Sequence, residues 1–402
     1  MESLFHRFRL GFLVAFFAAQ AGATDVEFEV ASPIPILSGS ESTYYSQTRG
    51  TPVPGTPGRF LLTTQDTDVR GTHGYRDLWM MESNDGVGWG APHRIPSLTR
   101  REVGDGIERV IGDVSPKWHE RSRHVLATGK TFSFLGGKKE DRSLERVAYA
   151  TFNPVDNQWS DLMTVDLPLR DRDGQRIIAP NTGCVQRWDL DDGDILLPVR
   201  YRQEKLDAPY VTAVLRCGFD GKTLAYKEQG VVLKGPGNAP LFEPSLTRFR
   251  GEYFLTLRSE RTAFVARSSD GLSFTPVVEW KYDDGSPVGS YNTQQHWVTH
   301  RDGLFLVYTR KGANNDHVFR HRAPLFMAQV DVERLCLIKH TERVVVPEEG
   351  ADLGNFGVVN ASPNETWIIT SEMGLSQNRS GIRRVFLVKI HWTTPNSVFP
   401  LN

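Results

Sequence analysis

The stretch from Leu241 to Trp280 restricts what this chain can fold into more than any other, because four short strand patterns follow one another within it. Each pattern is rich in aromatic and β-branched residues and is bounded by Gly or Asp, which is typical of strands joined by tight turns. The stretch therefore predicts one four-stranded antiparallel unit, with strands over Pro244 to Phe249, Tyr253 to Arg258, Ala263 to Ser268 and Pro276 to Trp280.

Strand–turn–strand patterns of the same kind recur through the rest of the chain, in six units spaced by roughly 50 to 60 residues. Each unit has an inner hairpin followed by an outer one. The clearest inner hairpins run from Trp188 to Arg202, Thr247 to Glu260, Val298 to Lys311 and Asn360 to Glu372, and weaker ones from Gly58 to Gln65 and Ser122 to Phe134.

A single four-stranded sheet cannot bury both of its faces, whereas sheets stacked radially bury them and protect the strand edges. Beyond the N-terminus no segment has an amphipathic-helix period. We therefore predict an all-β chain folded as a six-bladed β-propeller of four-stranded antiparallel blades, with a β-sandwich or a β-helix as alternatives. The last unit lacks a fourth strand, and we expect the alternating segment Val26 to Val30 to supply it.

The N-terminus has the pattern of a secretory signal peptide. Arg7 and Arg9 precede an apolar run from Leu10 to Ala19, and small residues fit a cleavage site after Ala23. The run is short for a membrane span, so a retained anchor is the less favoured alternative. We therefore expect a secreted or periplasmic protein.

The domain prediction follows from this boundary: a signal peptide over residues 1–23 and a single propeller domain over residues 24–402. Thr24 to Thr56 is rich in Ser, Thr, Pro and Gly, and we interpret it as a lead-in to the first blade.

The formal net charge of −1 gives the chain no general attraction to nucleic acid or to an anionic membrane. We expect no nucleic-acid partner, and no membrane partner once the signal is removed. Cys184, Cys217 and Cys336 fit no zinc or disulfide framework. A Cys184–Cys217 bridge and three buried free thiols are both open, and the second is favoured.

Histidines precede two of the predicted inner hairpins. His119 follows Lys117 and Trp118, and His296 follows Gln294 and Gln295. The ends of inner strands border the pocket of a propeller, and an imidazole beside arginines can take or give a proton near neutral pH. His119 and His296 are therefore candidate catalytic residues, and the alternative for each is a hydrogen-bonded structural role.

The loop from Gly312 to Pro324 has the densest group of polar side chains in the chain. We expect His317, Arg320 and Arg322 to bind an acidic sugar or a sulfate group. The spacing of His317 and His321 suits a metal only on a helix, which this loop does not predict, so we expect no metal. A solvated or bracing loop is the third alternative.

Two turns, Ser83 to Trp89 and Ser268 to Phe274, resemble the S-x-D-G-x-x-W/F motif of the sialidase superfamily. In that motif the Asp accepts backbone hydrogen bonds and the aromatic side chain packs into the sheet. The motif marks the fold and carries no information on activity. The resemblance implies a propeller whose site lies at the ends of the inner strands.

The resemblance to sialidases extends to five positions. Glu243 opens an inner strand and Arg258 closes the next one, as a glutamate and a carboxylate-binding arginine do in that family. Arg49 takes the place of the family's first arginine, without its R-I-P context. Asn355 stands where sialidases carry a nucleophilic tyrosine, and Glu372 ends the following hairpin.

The chain is also similar to propeller-fold polysaccharide lyases, which use His, Tyr and Arg around a uronate. Arg200 and Tyr201 end the third inner hairpin, and Arg258 and Arg310 end the next two. In a lyase such an arginine neutralises the C6 carboxylate while a His or Tyr removes the C5 proton. This resemblance implies His119 or His296 as the base.

Together these patterns predict an exported enzyme that acts on an oligo- or polysaccharide with an acidic sugar and needs no cofactor. The favoured chemistry is glycoside hydrolysis, with Glu243 or Glu372 and a histidine as the acid/base pair. Elimination by a polysaccharide lyase and binding by a non-catalytic propeller are the alternatives. An enzyme should bring His119, Glu243, Arg258 and His296 into one pocket. The predicted substrate-binding residues are Arg49, Arg200, Tyr201, Arg258, Gln295, Arg310, His317, Arg320, Arg322 and Asn355.

Overall fold

A computed structural model describes residues 25–55, 59–68, 74–139, 142–373 and 383–397, so the predicted signal peptide lies outside the described residues. Within these ranges the chain forms β-strands and short 3-10 helices, and no α-helix. None of the described helices has the length and apolar character needed to cross a membrane.

Two N-terminal strands precede six antiparallel sheets, the blades, which follow one another along the chain. The N-terminal strands are β1 (Phe28–Val30) and β2 (Ile34–Ser38). Blade 1 contains β3 (Thr43–Pro52), β4 (Phe60–Asp68), β5 (Tyr75–Ser83) and β6 (His93–Arg94). Blade 2 contains β7 (Arg101–Glu102), β8 (Ile107–His119), β9 (His124–Leu135), β10 (Lys138–Lys139), β11 (Val147–Asn153), β12 (Gln158–Trp159) and β13 (Met163–Thr164). Blade 3 contains β14 (Ile177–Asn181), β15 (Trp188–Asp189), β16 (Ile195–Gln203), β17 (Tyr210–Phe219) and β18 (Leu224–Gln229).

The second half of the ring continues this order. Blade 4 contains β19 (Phe242–Phe249), β20 (Glu252–Arg258), β21 (Ala263–Ser268) and β22 (Val278–Glu279). Blade 5 contains β23 (His296–Thr299), β24 (Leu304–Tyr308), β25 (Leu325–Asp331), β26 (Cys336–Leu337) and β27 (Arg343–Val346). Blade 6 contains β28 (Phe356–Ser362), β29 (Glu365–Ser371) and β30 (Arg384–Trp392). The 3-10 helices are Pro96–Leu98, Arg142–Leu144, Pro236–Asn238, Phe319–His321 and Lys339–Thr341.

The predicted all-β, six-bladed propeller is confirmed. Blade 4 shows the agreement most directly, because its strands match the four patterns between Leu241 and Trp280, and each strand pairs antiparallel with the next. The inner strands β3, β8, β19, β23 and β28, together with β14 and β15 of blade 3, surround a central axis.

The interpretation of Thr24 to Thr56 as a lead-in is wrong, because this segment contains β1, β2 and the whole inner strand β3. The sequence of β3, TYYSQTRGTP, shows little apolar alternation. Its buried hydroxyl groups bond to other polar groups instead of packing in an apolar core. Thr48 Oγ1, for example, lies 2.7 Å from Thr64 Oγ1 of the next strand. A strand that lines a polar axis therefore lacks the signal by which half-buried strands are recognised.

The ring closes as predicted, through the N-terminus. Strand β1 pairs with β30 so that Phe28 lies opposite Trp392, and β2 pairs with the other half of β30. The Phe28 ring also contacts Phe305 of blade 5, with ring centroids 5.7 Å apart. The first and last segments of the described chain thus share one blade, in which β1 and β2 cover the outer edge of β30.

Apolar side chains fill the space between neighbouring blades. Between blades 4 and 5, Trp280 and Trp297 are almost fully buried in one cluster with Phe254 and Leu306. Such contacts supply most of the stabilisation, because a buried aromatic side chain contributes about 2 to 3 kcal/mol relative to an exposed one. Cys184, Cys217 and Cys336 are buried free thiols, so the Cys184–Cys217 bridge does not form.

The two S-x-D-G turns brace outer hairpins. Asp270 Oδ1 accepts hydrogen bonds from the backbone N–H groups of Leu272 and Ser273, at 2.8 and 2.6 Å. Asp85 Oδ1 accepts the corresponding bonds in blade 1. Gly271 has φ +77°, and a Cβ there would lie 2.4 Å from Leu196 of blade 3, so only glycine lets this turn contact the preceding blade.

Four inner strands carry a bulge at the same level of the ring. The register shifts in β3, β8, β14 and β19. One residue in each bulge is not glycine and yet has a positive φ, namely Gln47, Asp113, Ala179 and Glu243. Such conformations cost about 1 to 3 kcal/mol each and are typical of sites where a side chain must be re-aimed. Below, the end of the ring on which these bulges lie is called the upper face. The opposite end, where inner strands finish at residues such as Pro52 and His119, is called the lower face.

Candidate functional site

The upper face is organised around an ion pair within blade 4. Glu243 lies in the bulge of β19, and its carboxylate accepts two hydrogen bonds from Arg258, Nε to Oε2 at 2.6 Å and Nη2 to Oε1 at 2.7 Å. Arg200 approaches the same carboxylate, with its Nη1 at 3.6 Å from Oε1. The ring of Phe242 packs against the guanidinium groups of both arginines.

Glu243 is 7% exposed and ionised. Burial alone would raise the pKa of its carboxyl group, but the charges of Arg258 and Arg200 outweigh burial and hold the pKa well below its ordinary value. Glu243 therefore cannot serve as a general acid near neutral pH. Its carboxylate fixes the orientation of the two arginines.

Arg320 and Arg322, from the loop between β24 and β25, add two further guanidinium groups beside Arg258. Neither forms an ion pair with any residue that the structure describes. Arg322 is 8% exposed, and its Nε has no hydrogen-bond partner among the residues that the structure describes. Its Nη1 makes one long contact of 4.0 Å to Met373 Sδ. Burial, followed by repulsion from Arg258 and Arg320, lowers the pKa of Arg322 to about 10.

We call Arg258, Arg320 and Arg322 the guanidinium cluster. A buried cation without a carboxylate partner is costly, so a cluster of this kind is built to receive an anion. Arginine is the side chain best suited to carboxylate, sulfate and phosphate groups, because its fork of N–H donors can bind two oxygens at once. The cluster therefore has the charge and the hydrogen-bond donors of a candidate anion site.

Gly354 and Asn355 lie directly beneath this cluster. A Cβ at Gly354 would fall 2.8 Å from Arg322 Cδ and 2.4 Å from Thr293 Oγ1, so glycine is required for the approach of Arg322. Asn355, which the sequence resemblance to sialidases matches with their tyrosine, accepts a hydrogen bond from Gln294 Nε2 at 2.9 Å and contacts Met373 Sδ through its Nδ2. Its side chain is buried and offers no nucleophile.

Arg49 lies on the axis and is fully engaged with the protein. Its Nε donates to Phe356 O and its Nη1 to Val114 O, both at 3.1 Å, and its Nη2 donates to Gln47 and Gln294 at 2.6 and 2.8 Å. These partners belong to blades 1, 2, 5 and 6. Arg49 thus joins four blades, and the geometry gives it a structural role and not the predicted role in substrate binding.

A second polar network lies on the upper face, in blades 1 and 2, and the sequence did not predict its residues as part of the site. The Tyr75 hydroxyl donates to Asp113 Oδ1 at 2.9 Å, and Gln47 Nε2 donates to the same hydroxyl at 3.0 Å. Lys130 lies 3.4 Å from Asp113 and 3.5 Å from Glu145. The charges of Glu145 and Asp113 outweigh the opposing effect of burial and raise the pKa of Lys130.

This second network reaches the ion pair of blade 4. Asn181 Nδ2 donates to Glu145 Oε2, and Arg200 Nε donates to Asn181 Oδ1, each at 2.9 Å. Arg200 in turn approaches Glu243. The signal that could have indicated Asp113 is the Gly112-Asp113 pair inside a strand-like run, because such a pair is typical of a bulge.

The predicted pocket with both histidines does not form. His119 ends β8 on the lower face, while Glu243 and Arg258 lie on the upper face. Both ring nitrogens of His119 are bonded, Nδ1 to Ser122 Oγ at 2.8 Å and Nε2 to Gly193 O at 3.0 Å. His119 lies at the end of β8, and Glu243 lies near the start of β19. The starts and the ends of the inner strands lie on opposite faces of the ring, so these two residues cannot meet.

His296 lies deeper on the axis, below the guanidinium cluster. Its Nδ1 is 2.9 Å from Ser245 Oγ, and its ring packs edge-on against Phe356. Burial, together with the charge of Arg49, lowers the pKa of His296 to about 3. The imidazole is therefore neutral at ordinary pH and is held within the protein, which does not favour a role as acid or base.

Four further predicted residues are engaged away from the cluster. Tyr201 donates to Asp171 Oδ2 within blade 3, and Gln295 accepts from Thr256 Oγ1 between blades 4 and 5. Arg310 forms a two-pronged pair with Glu342, whose carboxylate also accepts from Tyr282 and Tyr308. His317 is exposed and lies 3.3 Å from Glu348.

Glu372 is almost fully buried at the end of β29, where Arg384 donates to both of its carboxylate oxygens, at 3.0 and 3.1 Å. Of the predicted site residues, the structure thus brings together Arg200, Glu243, Arg258, Arg320, Arg322 and Asn355. Among the described residues no group of three or more His, Cys, Asp or Glu side chains could hold a metal ion.

Comparison with known proteins establishes the fold. No protein-family model and no curated relative matches the chain. A crystal structure of a protein of unknown function from Dyadobacter fermentans is 16% identical, with a TM-score of 0.67 over 91% of this chain and 99% of that one. Trypanosoma rangeli sialidase is 12% identical, with a TM-score of 0.60 over 91% of this chain, and a Hadza microbial sialidase is 10% identical, with a TM-score of 0.60 over 88% of it.

The chain spans 60% of the length of the Trypanosoma rangeli sialidase and 68% of the Hadza sialidase. At this level of identity the likeness establishes a shared architecture, and chemistry must be argued from the site itself. The chain has the sialidase-like six-bladed propeller fold.

Proposed function

We propose that this protein is a sialidase-like glycoside hydrolase that acts on a glycan containing an acidic sugar. The anionic group of that sugar, a carboxylate or a sulfate, binds to Arg258, Arg320 and Arg322. The observation that carries the proposal is Arg322, a buried guanidinium with no carboxylate partner in the described part of the chain, next to two other arginines.

A bound anion supplies the negative charge that the guanidinium cluster lacks. Glu243 offsets part of the charge of Arg258 and of Arg200 from blade 3, and its two oxygens already accept from Arg258. The charge of Glu243 acts on Arg320 and Arg322, and that of Asp352 on Arg322, but neither arginine has a direct ion-pair partner among the described residues, so both guanidinium groups can bind the ligand. Binding the anion relieves the repulsion among the three guanidinium groups, so recognition of charge and correct orientation of the sugar occur in one step.

We assign proton transfer on this face to Tyr75, oriented by Asp113. Burial, followed by the charge of Asp113, raises the pKa of Tyr75 well above its ordinary value, so the phenol keeps its proton at neutral pH. In glycoside hydrolysis a general acid protonates the leaving oxygen while water adds at the anomeric carbon. Tyr75 gives its proton to the leaving oxygen while Asp113 holds its hydroxyl in place, and the water that adds at the anomeric carbon returns one proton to the Tyr75 oxygen.

The test is digestion of a panel of acidic glycans, namely sialosides, uronate oligosaccharides and sulfated oligosaccharides. New reducing ends measure hydrolysis, and ultraviolet absorbance of a conjugated double bond measures elimination. We expect reducing ends without that absorbance, strong loss of activity in Tyr75→Phe and Arg322→Met, and no change in Arg250→Met, an exposed arginine at the β19–β20 turn on the lower face.

Two outcomes would replace the proposal. Absorbance of a conjugated product would indicate the lyase alternative. Saturable binding of an acidic glycan with no cleavage of any substrate would indicate the non-catalytic carbohydrate-binding alternative, which the Asn355 side chain, in place of a nucleophilic tyrosine, would then explain.

We also propose that the protein is secreted or periplasmic, on the basis of the signal-like sequence over residues 1–23. N-terminal sequencing of the protein from its native host tests this. A mature chain that begins near Thr24 is expected, and an intact Met1 would contradict it.

A further inference from the structure

An axial channel opens on the lower face, at the other end of the ring from the guanidinium cluster. It encloses a cavity of about 1120 Å³ and is bordered by residues from all six blades. This volume exceeds the range of about 300 to 1,000 Å³ typical of small-molecule sites. The channel can therefore hold more than one sugar-sized unit.

Polar side chains that cross the axis close the inner end of this channel. Arg49 joins blades 1, 2, 5 and 6, as described above. Gln186 of blade 3 bridges to blade 5, where its Nε2 donates to Trp297 O at 3.0 Å and its Oε1 accepts from Trp297 N at 2.7 Å. These residues separate the channel from the upper face, so the channel is a site of its own and not the rear of the anion site.

The mouth of the channel combines aromatic faces with a fixed polar edge. Trp118 and the half-buried Trp188 line it. The Nε1–H group of Trp188 has no hydrogen-bond partner among the described residues. Lys117 is 41% exposed, and its Nζ lies over the outer part of this ring, 5.5 Å from the ring centre, and 3.4 Å from Asp189 Oδ2.

A buried arginine fixes this edge. Arg187 Nε donates to Asp189 Oδ1 at 2.9 Å, and its other nitrogens donate to Leu126 O at 2.6 Å and Lys117 O at 3.0 Å. The charges of Arg187 and Lys117 outweigh the effect of burial and lower the pKa of Asp189, which stays ionised as an acceptor. Lys117 and Asp189 thus present donors and an acceptor side by side.

The charge at this mouth is nearly balanced, in contrast to the guanidinium cluster. Arg187 and Lys117 face Asp189, and Arg59 at the rim is paired with Glu82 at 2.5 Å. The lining also contains Arg121 and two further carboxylates, Glu120 and Asp191. An anion has no advantage in such a place. A neutral ligand with an apolar face and hydroxyl groups at its edge matches an aromatic face beside paired donors and acceptors.

We propose that the lower mouth of the axial channel is a second carbohydrate site, which binds a neutral sugar residue or short neutral oligosaccharide. The apolar face of the pyranose lies on Trp188, and its hydroxyl groups bond with Lys117 and Asp189. The inference does not depend on the proposed function of the upper face, since the two sites share no residue and take ligands of different charge.

The test is titration of the whole protein with a panel of neutral oligosaccharides built from glucose, galactose, mannose and xylose. Binding is measured by tryptophan fluorescence and by saturation-transfer NMR. Three variants are compared with the wild type: Trp188→Ala, Lys117→Met and Arg322→Met. Lys117→Met changes a partly exposed side chain, so it tests the site even if Trp188→Ala does not fold.

We expect saturable binding of at least one neutral oligosaccharide in the millimolar range or tighter, weakened at least about tenfold in Trp188→Ala and Lys117→Met and unchanged in Arg322→Met. The absence of saturable binding by any sugar of the panel would overturn the inference. Binding that is lost in Arg322→Met and kept in Lys117→Met would also overturn it, because the sugar would then occupy the upper face.

Discussion

Arg258 holds both carboxylate oxygens of Glu243, from a position 15 residues later in the chain and across the first hairpin of blade 4. Antiparallel pairing brings these two residues together, because the start of β19 and the end of β20 are neighbours in the hairpin. Arg200 of blade 3 joins this pair from the side. One carboxylate thus orients two arginines, and two more guanidinium groups lie next to them without an ion-pair partner among the described residues.

Replacement of Glu243 by Gln tests this arrangement. The change leaves Arg258 and Arg200 buried without their carboxylate, and breaking a buried pair of this kind costs about 3 to 5 kcal/mol. We expect that loss in the free energy of unfolding measured with urea at pH 7. Sulfate should then raise the melting temperature of the variant more than that of the wild type, because a bound anion can replace the missing charge.

The matched control for Glu243→Gln is Glu228→Gln, which removes an exposed carboxylate 3.7 Å from Arg216. A surface pair of this kind contributes at most about 1 kcal/mol. Equal losses of stability in the two variants would contradict the central place given to Glu243.

Arg49→Met should destabilise the ring without specifically removing anion binding. The change deletes four charge-assisted hydrogen bonds to four blades, and a net loss of at least about 3 kcal/mol is expected, because the buried oxygens of Gln47 and Gln294 each lose a charged donor. Thermal melting measures the loss, and sulfate titration of the folded variant measures what remains of the anion site. Normal stability combined with abolished sulfate binding would instead support the substrate-binding role predicted from sequence.

Because of His296, the free energy of unfolding should fall as the pH is lowered. The folded pKa of about 3 lies below that of a free imidazole, so below about pH 6.5 the unfolded chain binds a proton that the folded chain does not. The stability contributed by the neutral imidazole is complete above that pH and is lost toward pH 3, at up to about 1.4 kcal/mol per pH unit. Asn at this position cannot bind the proton.

The measurement is the free energy of unfolding of the wild type and of His296→Asn at pH 7 and pH 5. We expect the wild type to lose about 2 kcal/mol more than the variant between these two values. Parallel losses would show that His296 titrates alike in the folded and unfolded chains, and that burial does not control it.

The closure of the ring by β1 is tested with two neighbouring substitutions. Phe28 packs against Trp392 and Phe305, and Glu29 is exposed on the other side of the same strand. Phe28→Ala should lower the free energy of unfolding by about 2 kcal/mol, and Glu29→Ala should change it by less than about 0.5 kcal/mol. Equal effects would mean that β1 adds no packing to blade 6.

The sequence predicts the architecture well because outer and middle strands carry an apolar pattern and sharp turns. Blade 4 and the closing strand near Val26 to Val30 follow from that pattern alone. Strand β3 does not, because its Ser and Thr side chains line a polar axis. The same limit applies to Asp113 and Lys130, which meet Tyr75 and Glu145 only once the ring places distant segments together.

The site itself is predictable in part. Glu243, Arg258, Arg320 and Arg322 lie in patterns that the sequence shows, and the ring brings them together. The structure does not bring either histidine to the cluster, for two physical reasons. His119 ends an inner strand on the lower face, whereas Glu243 lies near the start of one on the upper face. His296 is buried on the axis and held within the protein. The position of a residue along its strand, and not its chemical type, determines the face of the ring on which it lies.

The most direct test of the anion site is calorimetric titration of an acidic sugar, sialate or uronate, into the wild type and Arg322→Met, with Arg250→Met as the matched control. We predict saturable binding to the wild type and the control, weakened at least about tenfold in Arg322→Met. Without ligand, Arg322→Met should melt no lower than the wild type, because it loses no carboxylate partner within the described residues. Unchanged affinity in Arg322→Met, or a fall in its melting temperature as large as that of Glu243→Gln, would contradict the account.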